Sequence, residues 1–221
     1  MTPDDSQSVA ERREALLSEL ASLVEPPPVL VAASKRQPDA RIDAALVAGH
    51  RVFGENRVQE AFERWSGRRA GFPDLELRLI GPLQTNKADE ACALFDVIET
   101  LDRPKLARAL AKAMDKTGRR PKVFIQVNTG EEPQKSGVIP AELPALIDFS
   151  GGVCGLEIAG LMCIPPADEP AGPHFALLSK LARGHDLSGV SMGMSGDYAL
   201  AARLGASHVR VGTAFFGPRV T

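Results

Sequence analysis

Residues 29–65 read VLVAASKRQPDARIDAALVAGHRVFGENRVQEAFERW, and the parsing of this stretch decides the fold. Val29–Ser34 is a continuous apolar run rather than an alternating one. That pattern marks a strand buried on both faces, as in a parallel sheet. Pro38 suits a first helical position, with Ile42, Ala45 and Leu46 facing inward and Gly49 as the stop. Arg51–Gly54 is a second short apolar run. Asn56 can then cap a helix whose buried face is Val58, Ala61, Phe62 and Trp65. The stretch is therefore strand, helix, strand, helix.

The same rhythm extends in both directions. Further apolar runs lie at Leu75–Ile80, Asp96–Thr100, Lys122–Asn128, Glu157–Ile164, Gly189–Met194 and His208–Phe215, which makes eight strands in all. Before the first, Ser8 and Glu11 form a capping box, and Leu16, Leu17, Leu20, Leu23 and Val24 keep one apolar face. Asp102-Arg103-Pro104 opens a helix with Leu106, Ala109, Leu110 and Ala113 inward and Gly118 as its end. Pro173–Arg183 and Gly196–Leu204 complete the series, closed by Gly184 and Gly205. Pro140–Phe149 is a weaker helix, interrupted by Pro144.

Eight strands alternating with helices predict an α/β fold, a single (β/α)8 TIM-type barrel with an extra N-terminal helix covering its bottom or side. No linker or repeat divides residues 1–221, so one domain is expected, and Pro26-Pro27-Pro28 is a stiff lead into the first strand. An open doubly wound sheet is the alternative, but it lacks the Gly-rich dinucleotide fingerprint.

Composition narrows the function classes. Met1–Ala10 contains Asp4, Asp5 and Ser6 where a secretory leader would be basic and then apolar. No apolar run is long enough to span a bilayer. Three scattered cysteines (Cys92, Cys154, Cys163) suit neither a disulfide framework nor a redox pair, which points to a reducing, cytoplasmic setting. A net charge of −2 and 5% aromatic residues leave no basic stripe and few stacking platforms, so no nucleic acid is expected. His50, His174, His185 and His208 show no metal-ligand spacing. No metal site is expected.

Function in such a barrel sits at the C-terminal ends of the strands. Lys35 directly follows the first strand and would project into the mouth, where a desolvated amine is nucleophilic toward an aldehyde. A solvated strand-end lysine is the plain alternative. Asn56 follows the second strand and suits ligand contact or a helix cap. Ser191–Asp197 and Val209–Thr213 follow the last two strands with glycines and hydroxyls, the usual place for a phosphate, though tight turns use the same residues. Arg210 lies inside an apolar strand and needs an acceptor: a cofactor ring nitrogen or a strand-end carboxylate such as Glu157. Otherwise it snorkels outward. An amine, a phosphate cup and a cation match the aldehyde, phosphate and ring nitrogen of pyridoxal 5′-phosphate (PLP).

These residues resemble the YggS/PROSC family of pyridoxal phosphate homeostasis proteins, whose barrel is similar to that of alanine racemase. The matching stretches include Val31–Lys35, Phe53–Glu60, Ile80–Lys87, Gln126–Asn128, Lys135–Gly137, Gly160–Met162, Ser191–Asp197 and Val209–Gly217, in family order. The resemblance implies a Schiff base on Lys35, a phosphate held by Ser195, Gly212 and Thr213, and Arg210 facing the pyridine nitrogen, with Asn56 and Ser191 nearby. Two positions depart from the family pattern, Arg78 in place of a histidine and Arg57 in place of an aromatic, and both are expected near the mouth.

The expected function is PLP binding for intracellular vitamin B6 homeostasis without substantial turnover, by a monomer that passes PLP to PLP-dependent apo-enzymes. An amino-acid racemase is the alternative. It needs a second base besides Lys35, which barrel-type racemases take as a tyrosine from an additional domain. The only tyrosine, Tyr198, falls in a predicted helix, and the chain ends soon after the barrel. An enzyme for a phosphorylated metabolite ranks third, because it gives Lys35 and Arg210 no joint role.

Overall fold

The structure, a computed structural model, describes residues 8–218, so Asp4, Asp5 and Ser6 lie outside the described residues. Eight parallel strands close into a barrel in sequence order: β1 (Val29–Ala33), β2 (Val52–Glu55), β3 (Glu76–Leu79), β4 (Val97–Leu101), β5 (Lys122–Gln126), β6 (Ile158–Met162), β7 (Gly189–Ser191) and β8 (His208–Val211). β8 closes the ring onto β1, with Val31 opposite Arg210 and Ala32 opposite Val211. Six of the predicted runs overshoot their strands, most of all at the end, while Arg51–Gly54 and Asp96–Thr100 stop one residue short. Thr213–Phe216 is a short helix, because Gly212 breaks the extended backbone and Phe215 turns into the helix-side core.

The helices are α1 (Val9–Leu23), α2 (Asp39–Val47), α3 (Val58–Arg69), α4 (Ala88–Leu94), α5 (Pro104–Thr117), α6 (Leu143–Asp148), α7 (Ala171–Gly184), α8 (Tyr198–Arg203) and α9 (Thr213–Phe216). The capping box forms: the Glu11 amide donates to Ser8 Oγ, and the Ser8 amide donates to the Glu11 carboxylate at 2.7 Å. α1 buries Leu16 and Leu20 and packs against α2, α8 and α9, at the side of the barrel.

Several expectations need correction. Pro38 is the residue before α2 rather than inside it. Phe62 is exposed on α3, while Val58, Ala61 and Trp65 are buried. Pro144 sits in the first turn of α6, where its missing N–H costs nothing, so it starts that helix instead of interrupting it. Gly184 is the last residue of α7, and Asp186, two residues on, takes the left-handed backbone. Helix α4 was not foreseen, because the Gly81–Lys87 stretch before it reads as an extended polar loop.

Two apolar layers result. The outward faces of the strands meet the helices in the main core, which holds Trp65, Phe53 and Phe95 with no exposure. The barrel interior holds a small apolar cluster of Val97, Phe124 and Met162. Gly189 makes room for it: a Cβ there would lie 2.7 Å from the Phe124 ring. The interior also buries a polar group of Arg78, Glu99, Ser191 and Arg210.

Two histidines are also enclosed. Burial pushes the His50 imidazole from the ordinary 6.5 down to about 4, and burial together with the Arg78 charge does the same to His208. The unfolded chain protonates both near the ordinary value, so between pH 6.5 and 4 it binds more protons than the folded chain. Stability is full above that window and is lost as pH falls through it, by up to roughly 3 kcal/mol per histidine. Urea unfolding across this range should show falling midpoints. The His50→Gln variant, which keeps a donor for the Val52 carbonyl, should show a shallower fall.

Candidate functional site

One cavity of about 270 Å³ opens at the C-terminal ends of the strands. Lys35, Asn56, Ser195, Arg210, Gly212 and Thr213 line it together, along with Ala33, Gln37, Ile80, Ile164, Met194 and Gly196. Six of the seven residues singled out from the sequence thus meet at one mouth. The seventh, Ser191, has no exposure and lies beneath them.

Lys35 is half-buried and follows β1 on a turn that is fixed from below. The Ser34 amide donates to the Gly54 carbonyl at 3.0 Å, and Ser34 Oγ donates to Glu55 Oε1 at 2.7 Å. Arg64 on α3 donates to the same Glu55 oxygen at 2.9 Å and to the carbonyls of Ser34 and Gln37 on either side of the lysine. Trp65 Nε1 adds a third bond to Glu55 Oε1 at 3.0 Å. The clamp also holds Arg36 at φ 57°, a left-handed backbone that costs a non-glycine residue energy. Its sequence signal was the Glu55 carboxylate at the end of an apolar strand, which reads as a mouth residue but turns toward α3.

The opposite wall comes from the turns after β7 and β8. Gly193 sits at φ +89°, and a Cβ there would lie 2.5 Å from Ala201, so this turn requires glycine. It brings Ser195 beside the start of α9, where Ser195 Oγ accepts from the amides of Gly212 at 3.2 Å and Ala214 at 3.3 Å. Asn56 lines the cavity but caps nothing. The residue before α3 is Arg57, and no side chain caps that helix.

Arg210 lies at the base of the cavity, 4% exposed. Its Nη2 donates to the Cys163 carbonyl at 2.8 Å and its Nη1 to Ser191 Oγ at 2.7 Å. Ser191 Oγ in turn donates to Glu99 Oε2 at 2.6 Å, and the other Glu99 oxygen accepts from Arg78 Nε at 2.5 Å. The carboxylate that answers Arg210 is therefore Glu99 on β4, not Glu157, which is exposed. Burial alone would raise the Glu99 carboxyl, but Arg78 and Arg210 outweigh it and hold the pKa below the ordinary value. Sequence reasoning passed over Glu99, although an acid inside an apolar strand is the same signal that exposed Arg210.

Of the two departures expected near the mouth, one lies elsewhere. Arg78 is not at the mouth: it is buried in the interior with Glu99 and with Glu76, the first residue of β3, and stacks over Phe124. Arg57 is exposed, pairs with Glu60, and borders a smaller adjoining hollow with Lys35 and Asn56. Tyr198 is turned away. Its hydroxyl donates to Glu19 on α1 at 2.7 Å, and burial with that carboxylate pushes its pKa up to about 12. Among the described residues no group of three or more His, Cys, Asp or Glu could hold a metal, and no helix is long and apolar enough to cross a membrane.

Comparison with known proteins matches residues 14–220 to the model of the alanine racemase N-terminal domain. A protein of Pseudomonas aeruginosa named pyridoxal phosphate homeostasis protein is 41% identical over 200 residues, covering 86% of this chain and 84% of that one. One of the same name from Vibrio alginolyticus is 38% identical over 200 residues, covering 86% of each. The solved structure of PipY from Synechococcus elongatus with PLP bound superposes with a TM-score of 0.83 at 38% identity, over 95% of this chain and all of that one.

The Lys35 clamp makes a stability prediction. Arg64→Met would leave the Glu55 carboxylate buried without its cation, at a cost of about 3 kcal/mol. Urea denaturation should show the loss, and amide exchange of residues 34–37 should accelerate.

Proposed function

The chain belongs to the pyridoxal phosphate homeostasis protein family, built on the alanine racemase N-terminal domain, and on that premise we propose that it binds PLP as a Schiff base on Lys35 and serves the homeostasis of that cofactor rather than catalysis. The observation that carries this reading is the single cavity shared by Lys35, Arg210 and the turns at Ser195–Gly196 and Gly212–Thr213.

The donor set fits the cofactor. The Lys35 amine can add to an aldehyde with loss of water, and its carrying turn is fixed by Arg64 and Glu55. Ser195, Gly212 and Thr213 offer a hydroxyl-rich cradle of close backbone for a phosphate. Asn56 stands beside Lys35, and Ser191 acts from below through Arg210. Lys87 and Lys135 are each engaged by a carboxylate, Glu90 and Glu132, and neither lines this cavity.

Bound PLP supplies an electron sink that works best when its ring nitrogen is protonated. Arg210 at the base of the cavity is a fixed cation, and a cation beside that nitrogen disfavours a proton there. Racemisation further needs a second base across the cavity, and Tyr198 is engaged with Glu19 on α1 instead. Both features suit holding and delivery. On the same reading the chain, residues 1–221, acts as one barrel domain and a monomer in the cytoplasm. Its recipients are PLP-dependent apo-enzymes.

Purified protein with added PLP should show the visible band of a Schiff base. Borohydride reduction followed by peptide mass spectrometry should place the phosphopyridoxyl group on Lys35, and Lys35→Ala should abolish both. Absence of the band after PLP addition would overturn the binding reading. Complete interconversion of an amino acid's enantiomers, followed by chiral chromatography, would overturn the non-catalytic one.

A further inference from the structure

Glu99 has no exposure, touches nothing in the cavity, and still governs what the cavity presents. Its two oxygens are divided between the two interior arginines: Oε1 accepts from Arg78 Nε at 2.5 Å, while Oε2 accepts from Ser191 Oγ at 2.6 Å, and Ser191 Oγ accepts from Arg210 Nη1 at 2.7 Å. Glu99 Oε2 lies 3.9 Å from Arg210 Nη1, too long for a direct hydrogen bond, so Ser191 is the coupler. The hydrogen-bond chain crosses the barrel from β3 and β4 to β7 and β8 and ends on Arg210, a cation at the base of the cavity.

We propose that Glu99 is a positioning residue of this site: through Ser191 it fixes the Arg210 guanidinium in one orientation against the base of the cavity. The inference rests on the PLP reading for its consequence, while its geometric content concerns Arg210 alone. Three constraints make the orientation unique. The Cys163 carbonyl receives Nη2, Ser191 receives Nη1, and the Ser191 hydroxyl has a single proton, which is spent on Glu99. Because that proton goes to the carboxylate, the hydroxyl lone pairs face Arg210. Without Glu99, the hydroxyl would be free to rotate and Arg210 would keep only the Cys163 carbonyl as a fixed acceptor among these partners.

Glu99→Gln alone would leave Arg78 and Arg210 in the interior without the anion between them, and such a variant can fail to fold. The decisive variant is Glu99→Leu combined with Arg78→Met, which removes one charge of each sign, keeps the interior balance and leaves the Ser191 hydroxyl without its carboxylate acceptor. Ser191→Ala is the second, since it leaves all the charges and cuts only the coupling. Guanidinium ¹H–¹⁵N spectra of protein without PLP are the primary readout, with the Arg210 signals assigned by their loss in Arg210→Met. The wild type should show separate, slowly rotating Nη signals for Arg210. Both variants should show them averaged.

PLP affinity from absorbance titration should fall in both by about 10–100-fold, toward that of Arg210→Met, the range expected for losing a charge-assisted hydrogen bond. Resolved Arg210 signals in either folded variant would overturn the proposal, as would PLP affinity within about twofold of wild type. Wild-type protein that takes up no PLP would overturn the cofactor reading instead, and the guanidinium spectra would still decide the role of Glu99.

Discussion

A carboxylate sealed inside a parallel barrel has to be matched by cations, and the organisation of this interior follows from Glu99. A buried charge is expensive, and a buried ion pair adds little to stability when intact but is costly to break. Arg78 comes from the neighbouring strand β3 and Arg210 from β8 across the barrel, with Ser191 on β7 as the bridge. These bonds tie β3, β4, β7 and β8 to one register, because a slip of one residue would turn an arginine toward the apolar helix layer. The small apolar cluster of Val97, Phe124 and Met162 is too limited to specify that register by shape alone.

The two walls of the cavity are held by different means. Lys35 rides on a turn pinned by side chains, with Arg64, Glu55 and Trp65 reaching across from β2 and α3. The facing wall is mostly backbone, shaped by Gly193 and by the short helix after Gly212. The side chains thus fix the turn that carries the Lys35 amine, and backbone geometry shapes the wall that faces it. The cation at the base belongs to neither wall but to the interior network.

Much of this was legible in the sequence because burial on both faces writes itself as continuous apolar runs. All eight strands were found that way, with ends overrun where an apolar run continues into a turn or helix, as at Met192–Met194 and Gly212–Phe215. Lys35, Asn56, Ser195, Arg210, Gly212 and Thr213 converge because strand ends in a closed barrel must share one mouth. What was not legible concerns direction. Glu55 and Asn56 are adjacent at the end of an apolar strand, yet one turns to α3 and the other to the cavity. Arg78 and Arg210 are both interior, yet one lies toward the strand starts beside Glu76 and the other at the mouth. Spacing along the chain does not encode height along a barrel whose strands are staggered.

That difference in height decides which charge the interior presents to the cavity. Protonating a bound pyridine ring calls for an anion beneath its nitrogen, and Glu99 is the buried carboxylate of the interior. Its oxygens already accept from Arg78 and Ser191, and its pKa is held low by the two arginines, so it is neither free to face the cavity nor disposed to carry a proton. The network therefore presents the cavity with the cationic end of the chain and keeps the anionic part below. A barrel in which the carboxylate and the mouth-side arginine exchanged places would offer a carboxylate at the base. The order Arg78, Glu99, Ser191, Arg210 along the hydrogen-bond chain, rather than the presence of any one of them, sets the electrostatics of the mouth.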